Sequence, residues 1–401
     1  MGVKSCHTER IPIHRPMAYS HLERGKGKMK EAISLKKTLS IAIRRGYENP
    51  LTEEEFNDLA LRIFSLQFRL NPVYRAFCKK LGAEPKKVQS WKEIPPLPSV
   101  TFKKRTVCLR NTQSGKIPSS PVIFRSSGTT WGKKKRSKVP LLFPELYALS
   151  TKVNAKRWLF PDVDKIPIFF LFPPWEERED SSLAFMFWVI EKEFGWKGKN
   201  AYFVTGKGFH CEELLFALKK VEEQGEKVAL LGPTSFHLYF LDYLKEKKAR
   251  FTLSAGSRIM DTGGSKGMPR EITREEFYEA VHTFLGIPEN FVVNEYGMCE
   301  LTGFYLENVL FQKISGLKVS ERYKVVPPWM RVQVVDPESF TPAKRGILLH
   351  YDLSNLGTVM AIETEDIGEW KNGGFEILGR AEFSDVRGCS LLLGEYLQRK
   401  P

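Results

Sequence analysis

Several features of secreted, membrane-spanning or zinc-binding chains are missing from this sequence. No apolar run approaches the roughly 20 residues that a membrane-spanning helix requires. The longest, "IPIFFLF" from Ile166 to Phe172, is short and closed by Pro173 and Pro174. The N-terminus carries no apolar core of the kind a secretory signal needs, so none is expected. Cysteine is scarce: Cys6, Cys78, Cys108, Cys211, Cys299 and Cys389 are scattered, with no CxxC pair and no Cys/His cluster at metal spacing. That pattern argues against a disulfide framework and against a structural zinc site. No internal repeat is visible. The absences together predict a cytosolic globular protein with reduced thiols.

What is present supports a sizeable core. The 401 residues are 42% hydrophobic and 12% aromatic, enough for one large domain with sub-domains, or two domains. The net charge of +15 raises the question of nucleic acid, since Lys and Arg displace counterions from phosphates. The sequence, however, has no RNP-type aromatic pattern, zinc finger or basic heptad, and its lysine surplus is spread along the chain. We therefore expect a basic surface suited to acidic partners or substrates, and no nucleic-acid partner.

Residues 1–30 are basic and aperiodic and read as a disordered leader; Met29, just before the first helical stretch, is an alternative start. "MGVKSC" has Cys where a myristoylation signal wants Ser or Thr, which discounts that modification. "LTEEEFNDLALRIFSLQFRLNPVYRAFCKKLG" opens with Thr52 and Glu55 at capping-box spacing, is interrupted before Pro72 and stops at Gly82, a helical preface. From about Pro121 to Glu300, short apolar runs ("VIF", "IPIFFLF", "KVALLG", "SRIMD", "NFVVNEYG") alternate with helical segments, which predicts a largely parallel α/β sheet. Ligands of such sheets bind beyond the carboxyl ends of the strands. After Leu301 the runs "RVQVVDPESF", "GILLHYDL", "VMAIETEDIGEW" and "FEILGR" predict a smaller antiparallel β region.

The segment "VIFRSSGTTWGKKKRSKVP" concentrates the chemistry, with a strand-like run before it and a helix-like run after it. Gly128 and Gly132 let backbone N–H groups approach an anion, Ser126, Ser127, Thr129 and Thr130 add hydroxyls, and the lysines add charge. It is not GxxxxGK[ST], so a Walker loop is excluded. Taken alone it has a second, less favoured reading as a polar loop with a solvated basic end. Three later segments weigh against that reading. "MDTGGSKG" places Gly263 and Gly264 where a flat ring could lie against backbone. "NEYGMCELT" offers Tyr296 for stacking and Glu300 as a hard oxygen ligand for magnesium. "ETEDIGEW" and "LGRAEFSDVRGCS" supply Asp366, able to accept ribose hydroxyls, and Arg380, able to hold a phosphate.

In this order, across Ser126 to Gly388, the segments resemble the adenylate-forming enzymes, the acyl-CoA synthetases and their relatives. Within them the chain looks most like the LuxE-type acyl-protein synthetases, through "NPVYRAFC", "IPPLPSVTFKK", "FRSSGTT", "SSLAFM", "DTGGSKG", "NEYGMCEL" and "RGCSLL". The resemblance implies a large adenylation domain over residues 31–378, with mostly parallel sheets and helices plus the antiparallel region. It also implies ATP and magnesium as cofactors, a fatty acid substrate, and an acyl-CoA reductase-type protein partner that makes aldehyde. By position, Ser126, Ser127, Gly128, Thr129, Thr130 and Lys134 would hold the β and γ phosphates, and Gly263, Gly264, Ser265, Tyr296 and Gly297 the adenine. Glu300 would take the magnesium, Asp366 the ribose, and Arg380 the ribose or α-phosphate.

A C-terminal segment, 379–401, completes the chain. Thirteen residues follow Gly388, too few for the mobile lid with a catalytic lysine that acyl-CoA synthetases carry, so a full lid is expected to be absent. The resemblance implies that Cys389 is the acyl acceptor, a role for which a thiolate beside Arg387 suits the chemistry. Two departures stand out. Trp131 replaces a family glycine and leaves Lys133, Lys134 and Lys135 open as the phosphate contact. Cys299 replaces a family threonine, exchanging a hydroxyl for a weaker S–H donor. The alternatives are a phenylacetate-CoA-ligase-like enzyme using free CoA and, of another class, a basic nucleic-acid-binding protein.

Overall fold

The computed structural model describes residues 28–110, 122–126, 136–264, 271–319 and 321–380. Ser127, Gly128, Thr129, Thr130, Trp131, Lys133, Lys134, Lys135, Ser265, Arg387 and Cys389, and most of the 1–30 leader, lie outside the described residues.

The helical preface is as expected. A helix before it, α1 (Lys28–Arg45), begins inside the stretch expected to be disordered, and the preface itself is α2 (Glu53–Leu70) and α3 (Pro72–Lys80). The Thr52 hydroxyl accepts from the Glu55 amide and the Glu55 carboxylate from the Thr52 amide, which satisfies two otherwise unpaired donors at the start of α2. Asn71 ends α2 and caps α3, whose first position is Pro72. The preface is not separate, however. Fully buried Gln67 donates from Nε2 to the carbonyls of Asn355 and Leu356 and accepts from the Met360 amide, tying α2 to the C-terminal half. Strand β1 (Leu97–Pro98) goes further and pairs in parallel with residues of that half.

One expectation needs correction. β2 (Ile123–Arg125) joins no large sheet and is not followed directly by a helix. It pairs antiparallel with β3 (Lys138–Pro140), Phe124 opposite Val139, so the Ser/Thr/Gly/Lys segment bridges a two-stranded ribbon. The helix begins only at α4 (Pro144–Trp158), because Val139 and Pro140 are buried as strand and Pro144 supplies the preset first helical residue.

The alternating stretch folds as predicted. β4 (Ile168–Phe170), α5 (Ser182–Phe194), β5 (Ala201–Tyr202), α6 (Cys211–Glu223), β6 (Ala229–Pro233), α7 (Thr234–Lys247), β7 (Arg258–Thr262), α8 (Arg274–Leu285) and β8 (Val292–Tyr296) follow one another. With β9 (Tyr305–Leu306) they form a six-stranded sheet in the order β9-β8-β7-β6-β4-β5, parallel except for the β8–β9 edge. β6 and β7 are buried along their whole length, as strands covered on both faces must be.

Further along, β10 (Lys324–Val325), β11 (Met330–Val335), β12 (Arg345–Asp352), β13 (Ala361–Lys371) and β14 (Gly374–Arg380) form the antiparallel sheet in the order β10-β14-β13-β12-β11. β1 occupies the part of the β13 edge that β14 leaves, with Leu97 opposite Ile362. Among the described residues, no helix is long and apolar enough to cross a membrane.

Candidate active site

The β2–β3 ribbon is anchored from below and pinned across its mouth. Phe124 is buried against the rings of Tyr147 and Phe185, at 5.7 and 5.8 Å. Ser126, the first residue past β2, accepts a hydrogen bond at Oγ from the Ser137 amide at 3.0 Å. Arg136 Nε donates to the Ser126 carbonyl, and its Nη1 pairs with Asp180 Oδ2 at 3.1 Å. Asp180 in turn accepts the Arg125 amide at its carbonyl, at 2.8 Å. The ends of the segment that carries the expected phosphate residues are therefore fixed, by Arg136 as well as by Ser126.

Beyond the carboxyl end of β7 lie Gly263 and Gly264. Gly263 sits at φ +79°, where a side chain would be strained, and the space a Cβ would take at either glycine is open. On the neighbouring strand, register places Asn294 opposite Asp261 and Glu295 opposite Thr262. Asn294 Nδ2 reaches the Gly263 carbonyl at 3.3 Å and Asp261 Oδ2 at 2.9 Å. Thr262 Oγ1 donates to Glu295 Oε2. Burial pushes the Glu295 carboxyl up to about 7, against the opposing pull of Thr262 and Lys324.

Two residues along β8, Tyr296 shares a strand face with Asn294. Its hydroxyl donates to Asp366 Oδ2 at 2.7 Å, and Arg380 Nε donates to Asp366 Oδ1 at 3.1 Å. Asp366 and Arg380 face one another across β13 and β14, so the antiparallel register itself makes this pair. Each Asp366 oxygen already accepts one bond, but a carboxylate oxygen has two lone pairs, so acceptor capacity for a diol remains. Burial, with Asp366 beside it, pushes the Tyr296 hydroxyl well above its ordinary value and keeps it a donor. Behind Tyr296 stand Tyr305, His350 and Phe375, with ring centroids at 5.9, 5.7 and 6.0 Å. Burial lowers His350 to about 3, leaving it a neutral ring that shares a 2.7 Å hydrogen bond with the Tyr305 hydroxyl.

Past Gly297, where a Cβ would run into the Glu295 carboxylate, the chain places Cys299 and Glu300. Cys299 Sγ donates to Glu300 Oε2 at 3.1 Å, and burial raises this thiol well above its ordinary value, so it stays protonated. Asn355 Nδ2 holds the Glu300 carbonyl at 2.8 Å. Among the described residues no group of three or more His, Cys, Asp or Glu side chains is arranged to hold a metal. A single carboxylate does fit magnesium when phosphates complete its shell. Cys299 also lines a small cavity with Phe124, Val139, Leu142, Leu301 and Thr302, which brings the ribbon beside the Cys299–Thr302 connection.

Ser126, Gly263, Gly264, Tyr296, Gly297, Glu300, Asp366 and Arg380 thus come from the ribbon and from the facing ends of two sheets. Sequence reasoning passes over Asp261, Arg274, Asn294, Glu295 and Arg136. Asn294 is detectable as a polar residue on the Tyr296 face of a strand; a buried acid such as Asp261 leaves no signature of its own. Cys78, Cys108 and Cys211 are buried thiols pushed by burial up to about 12, 11 and 12, and none is activated.

The sequence matches the family described as "Acyl-protein synthetase, LuxE" over residues 47–398. It is 22% identical over 352 residues to a long-chain-fatty-acid–luciferin-component ligase of Vibrio harveyi, covering 84% of this chain and 86% of that protein. A protein of the same name from Aliivibrio fischeri is 24% identical over 202 residues, 47% of this chain and 50% of the relative. Among solved structures, an open conformation of 2-hydroxyisobutyryl-CoA ligase in complex with 2-HIB-AMP and CoA superposes with a TM-score of 0.59 at 12% identity. The match covers 83% of this chain and 71% of that one, and the shared architecture is the adenylate-forming fold.

Proposed function

The chain belongs to the LuxE acyl-protein synthetase family, a family of ligases, and from that premise we propose that it activates a long-chain fatty acid with ATP and loads the acyl group onto Cys389. The observation that carries this reading is the convergence of the Gly263 carbonyl, just past β7, and of Asn294 and Tyr296 on β8 with Asp366 and Arg380 of the antiparallel sheet, with Glu300 on the connection after β8. Tyr296 offers a ring face for adenine, and the Gly263–Gly264 backbone offers it an unobstructed ledge. Asp366, braced by Tyr296 and Arg380, accepts ribose hydroxyls, while Arg380 adds positive charge near the sugar and α-phosphate. Ser127 to Lys135, which follow the pinned end of β2 in sequence, would supply the contacts to the β and γ phosphates.

The fatty acid carboxylate attacks the α-phosphorus; a P–O bond forms to the acyl oxygen and pyrophosphate leaves. Two anions must meet in this step, so cationic groups have to offset their repulsion. Glu300 is the residue that would hold magnesium together with the phosphates, and the ion would supply Lewis-acid neutralisation of that charge. The Cys389 thiolate then attacks the acyl carbonyl, AMP leaves, and a thioester remains for delivery to a reductase-type protein partner. Cys299, whose thiol is held protonated as a donor to Glu300, is unsuited to that nucleophilic role.

Intact mass after incubation with ATP, magnesium and fatty acids of several lengths tests the proposal. We expect one acyl adduct on the C-terminal peptide, absent in Cys389→Ser. If Cys389→Ser still makes acyl-CoA from free CoA at the wild-type rate, the enzyme is a CoA ligase instead. If no fatty acid elicits pyrophosphate release, while retention on nucleic acid weakens steeply with salt, the nucleic-acid reading takes its place.

A further inference from the structure

Asp261 lies one layer behind the base ledge and is fully buried at the end of β7. Its Oδ2 accepts from Thr234 Oγ1 at 2.6 Å, Arg274 Nη1 at 2.7 Å and Asn294 Nδ2 at 2.9 Å, and its Oδ1 from Arg274 Nη2 at 3.2 Å. One carboxylate thereby joins the first residue of α7, the first residue of α8 and the middle of β8. Burial alone would push this carboxyl up, but Arg274 and the Thr234 hydroxyl outweigh it and hold the group below the usual carboxylate range. Arg274 is itself fixed, donating to the Tyr278 hydroxyl from Nε at 3.2 Å and Nη2 at 3.1 Å.

The consequence falls on Asn294. Its two amide hydrogens face only acceptors, the Asp261 carboxylate and the carbonyls of Asp261 and Gly263. An ionised carboxylate cannot donate, so the carboxamide has one allowed orientation, with Nδ2 inward. The backbone amide of Asn294 is held as well, by Glu307 Oε2 at 2.9 Å. Glu307 is paired in turn with Lys324 at 2.9 Å and Arg322 at 2.7 Å. Side chain and backbone are therefore both fixed before any ligand arrives.

We propose that Asp261, paired with Arg274, is a positioning residue for the nucleotide base: it fixes the Asn294 carboxamide and the Gly263 carbonyl at the edge of the ledge beside Tyr296. This rests on the nucleotide site proposed above. An uncharged Asn at 261 can present its own N–H groups to Asn294, which frees that carboxamide to turn and loosens the ledge. The effect belongs to base recognition rather than to transfer of the acyl group.

The test uses the full chain with hexadecanoate and magnesium, following pyrophosphate release with ATP and with GTP, and circular dichroism to verify folding. Asp261→Asn is expected to raise the KM for ATP roughly tenfold, with kcat at saturating ATP within about threefold of wild type and the ATP-over-GTP preference reduced. Arg274→Lys keeps the charge but loses the fork, and should fall between the two. Should Asp261→Asn fail to fold, Arg274→Lys and Thr234→Val, each removing part of the same network, must show the same split. A folded variant whose kcat falls while KM and base preference stay fixed overturns the inference and leaves the ligase reading intact. If the wild type releases no pyrophosphate, equilibrium dialysis decides. ATP binding preferred over GTP and weakened by Asp261→Asn upholds the inference without the ligase reading, and no preference overturns both.

Discussion

Glu295 sits where a strand of the parallel sheet turns towards the candidate site, and its carboxyl is raised from an ordinary 4.5 to about 7 by burial. A raised carboxyl contributes stability that is complete below its unfolded value and is lost as pH rises through its folded value. From about pH 5 to about pH 8 the wild type should therefore lose roughly 2–3 kcal/mol relative to Glu295→Gln, which cannot ionise. Urea unfolding of both proteins across that range checks this, and parallel profiles would refute it. His350, buried and lowered to about 3, acts in the opposite sense: its contribution is full above the unfolded value near 6.5 and fades as pH falls towards 3. His350 is present in both proteins, so its contribution cancels in the difference between wild type and Glu295→Gln across the whole range. At this scale, Tyr296, Glu300, Asp366 and Arg380 are legible in the sequence through the order in which the segments that carry them follow one another, even though Tyr296, Asp366 and Arg380 lie within strands. Asp261 and Glu295 are not, since an acid inside "SRIMD" or "FVVNEYG" reads like any solvated acid until strand register shows what surrounds it.

Elements delimited by local chemistry are the ones that sequence finds. Thr273 and Glu276 form a second capping box at the start of α8, and Gly286 ends that helix at φ +68°. Thr273→Ala should cost about 1 kcal/mol in a denaturant titration. If α8 positions Arg274 for Asp261, the same change should also shift affinity for ATP, which a cap of purely local importance would leave untouched. The β2–β3 ribbon shows the opposite case. "KVP" is too short for period to classify, and its pairing depends on the aromatic floor of Phe124, Tyr147 and Phe185, contributed by separate segments. β1 is two residues long and carries a proline, so only its partner strand reveals it.

For the whole molecule, the two sheets and the helical preface are bound through buried polar groups as well as apolar ones. Gln67→Ala would strand the Met360 amide and two carbonyls, and should cost about 2–3 kcal/mol. Hydrogen exchange on the same variant should show α2 and β13 losing protection together; loss in α2 alone would mean that the preface is an independent unit. The broad division into preface, parallel sheet and antiparallel sheet is legible because hydrophobic period changes along the chain. The closures between them are not, because they join residues hundreds of positions apart. β1 carries the further consequence. Leu97 pairs with Ile362, so on the ribosome the first strand waits for nearly the whole chain to emerge, roughly ten to fifty seconds at ordinary elongation rates. The nascent protein spends that interval with an unpaired apolar strand. A truncated transcript or a stalled ribosome would therefore yield a product prone to chaperone capture rather than a working half-enzyme.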